Sequence, residues 1–475
     1  MKVGFAVTML AIAMLCAFAV AQENTTAYWM TKARDFSING STEEAISAYD
    51  NASKIDPRNE TVLIRKALEL QVLGKENEST KAYEKAIALL DEDLKKNPQD
   101  AKAWMNKGLA LSSLGRQKES NQANENALVI LTRSTEKDPK NVSVWRNKAE
   151  VLMRLGKWEE GLQSLDKVTE IDPKNLDAWE RKGEFLTLMG RTNESLQAFD
   201  RSLELIPANN TKERSLVWMA KAQTLSYVDR KEETLKALDK ALEIDPRYLV
   251  AWTTKGYLLE DLGRHNESLA AFEEAIKIDP MNAKSWSAKA SQLVQLKRYN
   301  ESLQAYDKAI ELVPENEGKD LALAWLAKGD ALNRTGKQKE GMAAFQMAVN
   351  ASDKALQIYS NDTSVLELKG RALFKLAEYD EAIKTYDRAI ETAAPGSFYA
   401  PMVWIGKGNA LQAQGKNEDA FEAYNKAIDL NPIFADAWQG RGEAEKASGK
   451  VTEASESFYL ARKLGYKEDD PSIFF

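Results

Sequence analysis

Residues 249–282 read "LVAWTTKGYLLEDLGRHNESLAAFEEAIKIDPMN". Trp252 and Gly256 stand four apart. Ser268, Phe272 and Ala275 follow at spacings of 4 and 3, so they share one helix face. The pattern predicts two helices, A and B. Gly256 lets the neighbouring helix approach closely, Gly263 sits in the turn, and Pro280 ends helix B because it cannot continue it. One such hairpin cannot bury its apolar face alone, but stacked neighbours can.

Trp serves as the ruler along the chain. It stands at 29, 104, 145, 179, 218, 252, 286, 325, 404 and 438, with Leu63 and Leu366 in the two wide gaps. The steps are 34, 41, 41, 34, 39, 34, 34, 39, 41, 38 and 34 residues, a period that marks a repeat array. Each unit reads alike: Trp, Gly or Ala four later, often Gly seven after that, a small residue, an aromatic, Ala, and "DP". This resembles the tetratricopeptide repeat family over roughly residues 26–466, in twelve units. The resemblance implies an all-α, right-handed superhelical solenoid of about twelve antiparallel helix pairs. The units lie near 26–59, 60–100, 101–141, 142–175, 176–214, 215–248, 249–282, 283–321, 322–362, 363–400, 401–434 and 435–466. Some units depart from the pattern. Asn124, Leu165 and Leu238 replace the usual aromatic, and Ser360 replaces the terminal Pro. Three units are seven residues longer, at "AIALLDEDLKKNPQ", "ALVILTRSTEKDPK" and "AVNASDKALQIYSND". Seven residues is about two turns at 3.6 per turn, so helix B can lengthen without rotating its buried face. Four or five extra residues around "IPANNTKERS", "VPENEGKDLA" and "TAAPGSFYAP" predict longer loops or early starts of the next helix A.

Composition adds a location. The 475 residues are 44% apolar and 29% charged, which suits a folded chain. Net charge is −7 and no Lys/Arg-rich run occurs, so no nucleic-acid partner is expected. The start, "MKVGFAVTMLAIAMLCAFAVAQENTT", has the order of a secretory signal peptide over 1–21, with cleavage after Ala21 and a mature chain from Gln22 through 475. That places the protein outside the cytoplasm, secreted or on the cell surface or envelope. If the segment stays uncleaved, it is a membrane anchor instead. Cys16 is the one cysteine, so the mature chain holds no disulfide, and Leu15 before it breaks a lipidation motif.

Candidate chemistry is sparse. No phosphate loop, nucleophile elbow or metalloprotease motif occurs. His265 is the only His and lacks Cys or His partners, so it reads as a flat ring in a slot that Trp158, Tyr299 and Tyr379 fill elsewhere. No catalytic residue, metal site, cofactor or enzymatic activity is expected. Asn-x-Ser/Thr acceptors number thirteen, where chance gives roughly three. Twelve are expected to carry glycans: Asn24, Asn39, Asn51, Asn59, Asn77, Asn141, Asn193, Asn209, Asn266, Asn300, Asn350 and Asn361. Asn333 is the exception, since the register turns it toward the groove at the end of helix A. In Asn77, Asn193, Asn266 and Asn300 the acceptor Ser takes a helix-B position where Ala is usual, and its hydroxyl needs a partner there.

Members of the family bind extended segments of other proteins along the concave surface, and the resemblance implies such a scaffold, with a protein or peptide partner. The competing readings are a glycosylated structural component of the cell surface and an accessory subunit of an envelope enzyme complex. In this register the groove takes the residues one and five after each ruler position, and the one two before it. A clamp for two carboxylates, used in one branch of the family, is missing: the first units offer Met30, Arg34, Ile64 and Leu68. The middle units bring Glu150, Asp177, Glu180 and Glu184, then Tyr257 and Glu260, with Arg146 and Arg181 close by. That surface suits a peptide with Lys or Arg side chains. Met219, Leu326 and Ile405 offer a more apolar lining.

Overall fold

A computed structural model of the protein describes residues 25–38, 40–314, 317–394 and 396–466. The signal segment, Asn24 and Asn39 lie outside them. The described residues form helices and no strand. Two compact units result, Met1–Ala251 and Trp252–Phe475. In the first, the helices are α1 (Thr26–Ile38), α2 (Thr42–Ile55), α3 (Glu60–Val72), α4 (Glu76–Lys96), α5 (Ala101–Ser113), α6 (Gln117–Lys137), α7 (Val142–Arg154), α8 (Trp158–Ile171), α9 (Leu176–Leu188), α10 (Thr192–Leu205), α11 (Thr211–Ser226) and α12 (Lys231–Ile244). Next come α13 (Leu249–Asp261), α14 (His265–Ile278), α15 (Ala283–Gln295), α16 (Tyr299–Leu312), α17 (Gly318–Arg334), α18 (Gln338–Ile358), α19 (Thr363–Lys375), α20 (Tyr379–Thr392), α21 (Ala400–Ala413), α22 (Asn417–Leu430), α23 (Ala435–Ala447) and α24 (Val451–Lys463). Odd-numbered helices are the A helices and even-numbered ones the B helices. Within each unit, successive pairs pack in chain order.

Each hairpin has clear punctuation. The Asn or Asp after the inter-repeat Pro caps the next A helix: the Val62 N–H donates to Asn59 Oδ1 at 3.2 Å, and the Ala178 N–H to Asn175 Oδ1 at 3.0 Å. A helices end in a left-handed residue, mostly Gly, and the following N–H donates back to close the turn, as Arg191 does to the Leu186 carbonyl at 2.8 Å. An Arg after that left-handed residue then grips a Glu three residues on, as in Arg191–Glu194 and Arg298–Glu301, both 2.6 Å. The predicted long B helices are present, with α4, α6 and α18 each 21 residues against 14 in most others. The extra residues before α11 and α17 become early helix starts, making them 16 and 17 residues long.

The core repeats an aromatic wedge. Phe272 is fully buried against Gly256, where a Cβ would stand 2.7 Å from its ring. Tyr386 is clasped from two sides, by Gly370 of its own hairpin and Gly406 of the next, so both A helices approach it closely. Leu165 and Leu238 fill the aromatic position and are fully buried. Asn124 does so poorly: its Nδ2 donates to the Ser120 carbonyl at 3.0 Å, while its Oδ1 is buried without a partner among the described residues.

A second tie runs between neighbouring hairpins. The Trp indole N–H donates to the Pro carbonyl six residues earlier, at 3.0 Å for Trp104–Pro98 and 2.9 Å for Trp286–Pro280. The Lys three residues after Trp104, Trp179, Trp218, Trp286, Trp325 and Trp404 lies over the ring and reaches a carboxylate of the preceding B helix. Lys182, for example, is 5.3 Å from the Trp179 centroid and 2.6 Å from Asp166.

Candidate functional site

On the A helices of the first unit, residues four apart share a face, so α9 presents Glu180, Glu184 and Leu188 together. The neighbouring α7 presents Arg146, Glu150 and Arg154, and α11 presents Gln223, with Tyr227 capping its end. The mixed charge of this region resolves into pairs. Asp177 accepts from Arg181 at 3.1 Å and from Arg146 at 3.4 Å. Arg154 holds Glu150 at 2.5 Å and also donates to the Met105 carbonyl at 2.7 Å. Both cations expected beside the carboxylates are therefore spent on Asp177.

Among the described residues, Glu180 and Glu184 have no ion-pair partner. Glu180 is half-buried and accepts from the Ser202 hydroxyl at 3.3 Å. Burial, with Glu213 of α11 next in weight, pushes its carboxyl up to about 7. Glu184 keeps an exposed side chain, yet the protein around it still raises its carboxyl, and Arg181 only partly opposes this. Two carboxylates that are costly to ionise and unpaired attract a cation. Ser202 and Glu213 were missed in the sequence: the first belongs to a B helix, and the second to an inserted stretch outside the repeat register.

The second unit holds Tyr257 and Glu260 on α13. Tyr257 is half exposed, its ring edge-on to Phe272 with centroids 5.0 Å apart. Burial, Glu260 and Asp320 raise its hydroxyl. Burial also raises the Glu260 carboxyl. His265 opens α14 and lies 3.0 Å through Nδ1 from Gln292 Oε1. The structure corrects the apolar lining. Met219 and Leu326 are buried core side chains at 6% and 1% exposure, because packing between A helices covers them; Ile405 is half-buried.

The glycan acceptors divide by role. Asn59 and Asn141 spend their side chains as helix caps, accepting from Val62 and Val144. Asn51 is half-buried, while Asn209, Asn350 and Asn361 are exposed. Asn77, Asn193, Asn266 and Asn300 are exposed on B helices. Asn333 does not turn toward the groove; it packs so closely on Gly341 of α18 that a Cβ there would collide with its amide. The Ser of the Asn-Glu-Ser set has its own work. Ser79, Ser195 and Ser268 donate to the A-helix carbonyl twelve residues earlier, each at 2.8 Å. Ser120 does the same to Gly108 at 2.7 Å with Lys118 two residues before it, so packing selects the Ser whether or not an Asn precedes it.

Among the described residues no group of three or more His, Cys, Asp or Glu could hold a metal ion. Nor is any described helix long and apolar enough to cross a membrane.

Family models described as "Tetratricopeptide repeat" match residues 81–139, 120–181, 176–209, 253–317 and 363–394, and one described as "TPR repeat" matches 408–457. A curated relative, the small glutamine-rich tetratricopeptide repeat-containing protein 2 of Saccharomyces cerevisiae, is 30% identical over 104 residues, which is 22% of this chain and 29% of that protein. Among solved structures, yeast Tom70 aligns at 17% identity and TM-score 0.42 over 93% of this chain and 92% of its own. The Cut9–Hcn1 hetero-tetramer of APC/C aligns at 15% and TM-score 0.41 over 98% of each. Tetratricopeptide repeats mediate protein–protein interactions. With family models covering more than half of its length and twenty-four helices among its described residues, the chain belongs to the tetratricopeptide repeat family.

Proposed function

We propose that the protein is a non-enzymatic scaffold outside the cytoplasm. It holds an extended segment of a partner protein on the A-helix face of its first unit, with a Lys or Arg side chain at Glu180 and Glu184. The observation that carries this reading is the pairing pattern. Asp177 and Glu150 form ion pairs of their own, while Glu180 and Glu184 form none among the described residues. A partner ammonium or guanidinium would supply the charge-assisted hydrogen bonds that the fold leaves out. Tyr257 and Glu260 are a separate candidate contact on the second unit, Tyr257 offering a flat face to a cation. The location rests on the signal-like segment 1–21 and on the exposed acceptors Asn77, Asn193, Asn266 and Asn300. Those same acceptors favour a second reading, a glycosylated surface component without a discrete ligand.

The test is Glu180→Lys with Glu184→Lys. Partner capture is expected to disappear while helicity and melting stay as in the unaltered protein. Capture by the unaltered protein should weaken as salt rises, since exposed charges are screened within about 8 Å at physiological ionic strength. Unchanged capture by the double variant across a salt series removes this face from the account. An intact mass equal to that of the bare polypeptide refutes the glycan reading.

A further inference from the structure

At the C-terminal end of the same face, three large apolar side chains stand in water. Leu188 ends α9 with 59% of its surface exposed, and Tyr227 and Val228 follow α11 at 75% and 42%. Exposed apolar residues are ordinary when scattered, but a cluster beside a charged site is a recognised feature of binding surfaces. The equivalent step of the repeat carries Ser113 in α5 and Arg154 in α7, while α3 carries the exposed Val72 there. The Thr187 and Thr224 hydroxyls meet at 2.8 Å and tie the ends of α9 and α11 together, and Thr187 also meets the Ser195 hydroxyl at 2.7 Å. Leu188 is the next residue after Thr187, and Tyr227 lies three after Thr224.

We propose that Leu188, Tyr227 and Val228 form a second subsite of the peptide face, which takes an aliphatic or aromatic side chain two residues away from the Lys or Arg held by Glu184. The proposal rests on the reading of the Glu180 face as a peptide site. The spacing follows from geometry. Glu184 and Leu188 are four residues apart, about 6 Å along the helix axis at 1.5 Å per residue. Side chains on one side of an extended peptide recur every second residue, about 6.6 Å apart. Charge complementarity names the occupant: unpaired carboxylates next to an apolar rim fit a basic side chain next to an apolar one.

Fluorescence anisotropy with three labelled synthetic 11-mers on a Gly/Ser background tests this. The first carries two Lys; the second adds a Phe two residues after the second Lys; the third places that Phe five residues after it. The second peptide should bind the full-length protein about tenfold more tightly than the first and third, the amount that burying one large side chain in a partly open site supports. Leu188→Ser with Tyr227→Ser should erase that difference and leave the first peptide unchanged; both positions are exposed, so folding is retained, and circular dichroism checks it. Glu180→Gln with Glu184→Gln should weaken all three. Equal binding of the three peptides to the unaltered protein overturns the subsite and leaves the acidic face standing. If no peptide binds, the peptide reading itself falls. If the protein dimerises with rising concentration and Tyr227→Ser prevents this, the rim is a self-association surface and the proposal is overturned.

Discussion

Ser195 and Ser302 hold the same step of a B helix, two residues after an Asn, yet their hydroxyls end differently. Ser195 donates to the Gly183 carbonyl at 2.8 Å; Ser302 is fully buried and has no hydrogen-bond partner among the described residues. A satisfied buried hydroxyl stabilises by about 1 kcal/mol, and an orphaned one costs about as much. In protein made without glycans, Ser195→Ala should lose about 1 kcal/mol in urea unfolding, while Ser302→Ala should be neutral or gain stability. Equal losses would show that the Ser, rather than its hydrogen bond, is what the site needs. Glu180 gives a pH signature. Its carboxyl titrates at about 7 in the fold against an ordinary value of 4.5, so between these values the folded state holds more protons than the unfolded one. Stability therefore falls as pH rises through that window, and the loss is complete above about 7. Glu180→Gln should stabilise at pH 8 by on the order of 1–2 kcal/mol, after discounting for partial exposure, and have no effect at pH 4. Capture of a cationic segment, which needs the carboxylate, should strengthen from pH 6 to pH 8.

At the scale of elements, the turns after the A helices show where the repeat is imperfect. Gly takes the left-handed position after α3, α5, α7 and α9, but Asp229, Lys297 and Ala377 sit there at φ of 56°, 59° and 62°. For Ala this costs about 1 kcal/mol, because its Cβ crowds the following carbonyl. Ala377→Gly should therefore raise stability by about 0.5–1 kcal/mol, read from the urea midpoint. A loss would mean that the methyl group makes a contact worth more than the strain. The helices themselves were legible in the sequence because their signals are local: Trp and Gly four apart, Gly in the turn, Asn or Asp as cap. Helix B lengthened by seven residues in the three predicted places because that insertion preserves the buried face. The site was legible only in outline. Glu150, Asp177, Glu180 and Glu184 lie on neighbouring A helices, but a one-dimensional pattern does not say which Arg reaches which carboxylate. Arg146 crosses to the next A helix to meet Asp177, and Arg154 crosses back to the Met105 carbonyl. Met219 and Leu326 failed as groove lining for the same reason, since their burial depends on how closely adjacent A helices approach.

For the whole molecule, stability in a repeat array is a sum of units and their nearest-neighbour interfaces. Ala275→Glu places an unpaired charge at a fully buried contact of α14 and should cost several kcal/mol. The loss of hydrogen-exchange protection should concentrate in α13–α16 and leave α21–α24 protected; a uniform loss across the second unit would contradict nearest-neighbour coupling. The central claim is that the partner lies on the A-helix face between α9 and α11. A photo-crosslinking residue at Gln223, exposed on that face, tests it against the same residue at Gln197, exposed on the B helix α10. A covalent adduct with the captured partner should form from position 223 and none from 197. An adduct from 197 alone would place the partner on the opposite surface and contradict the account.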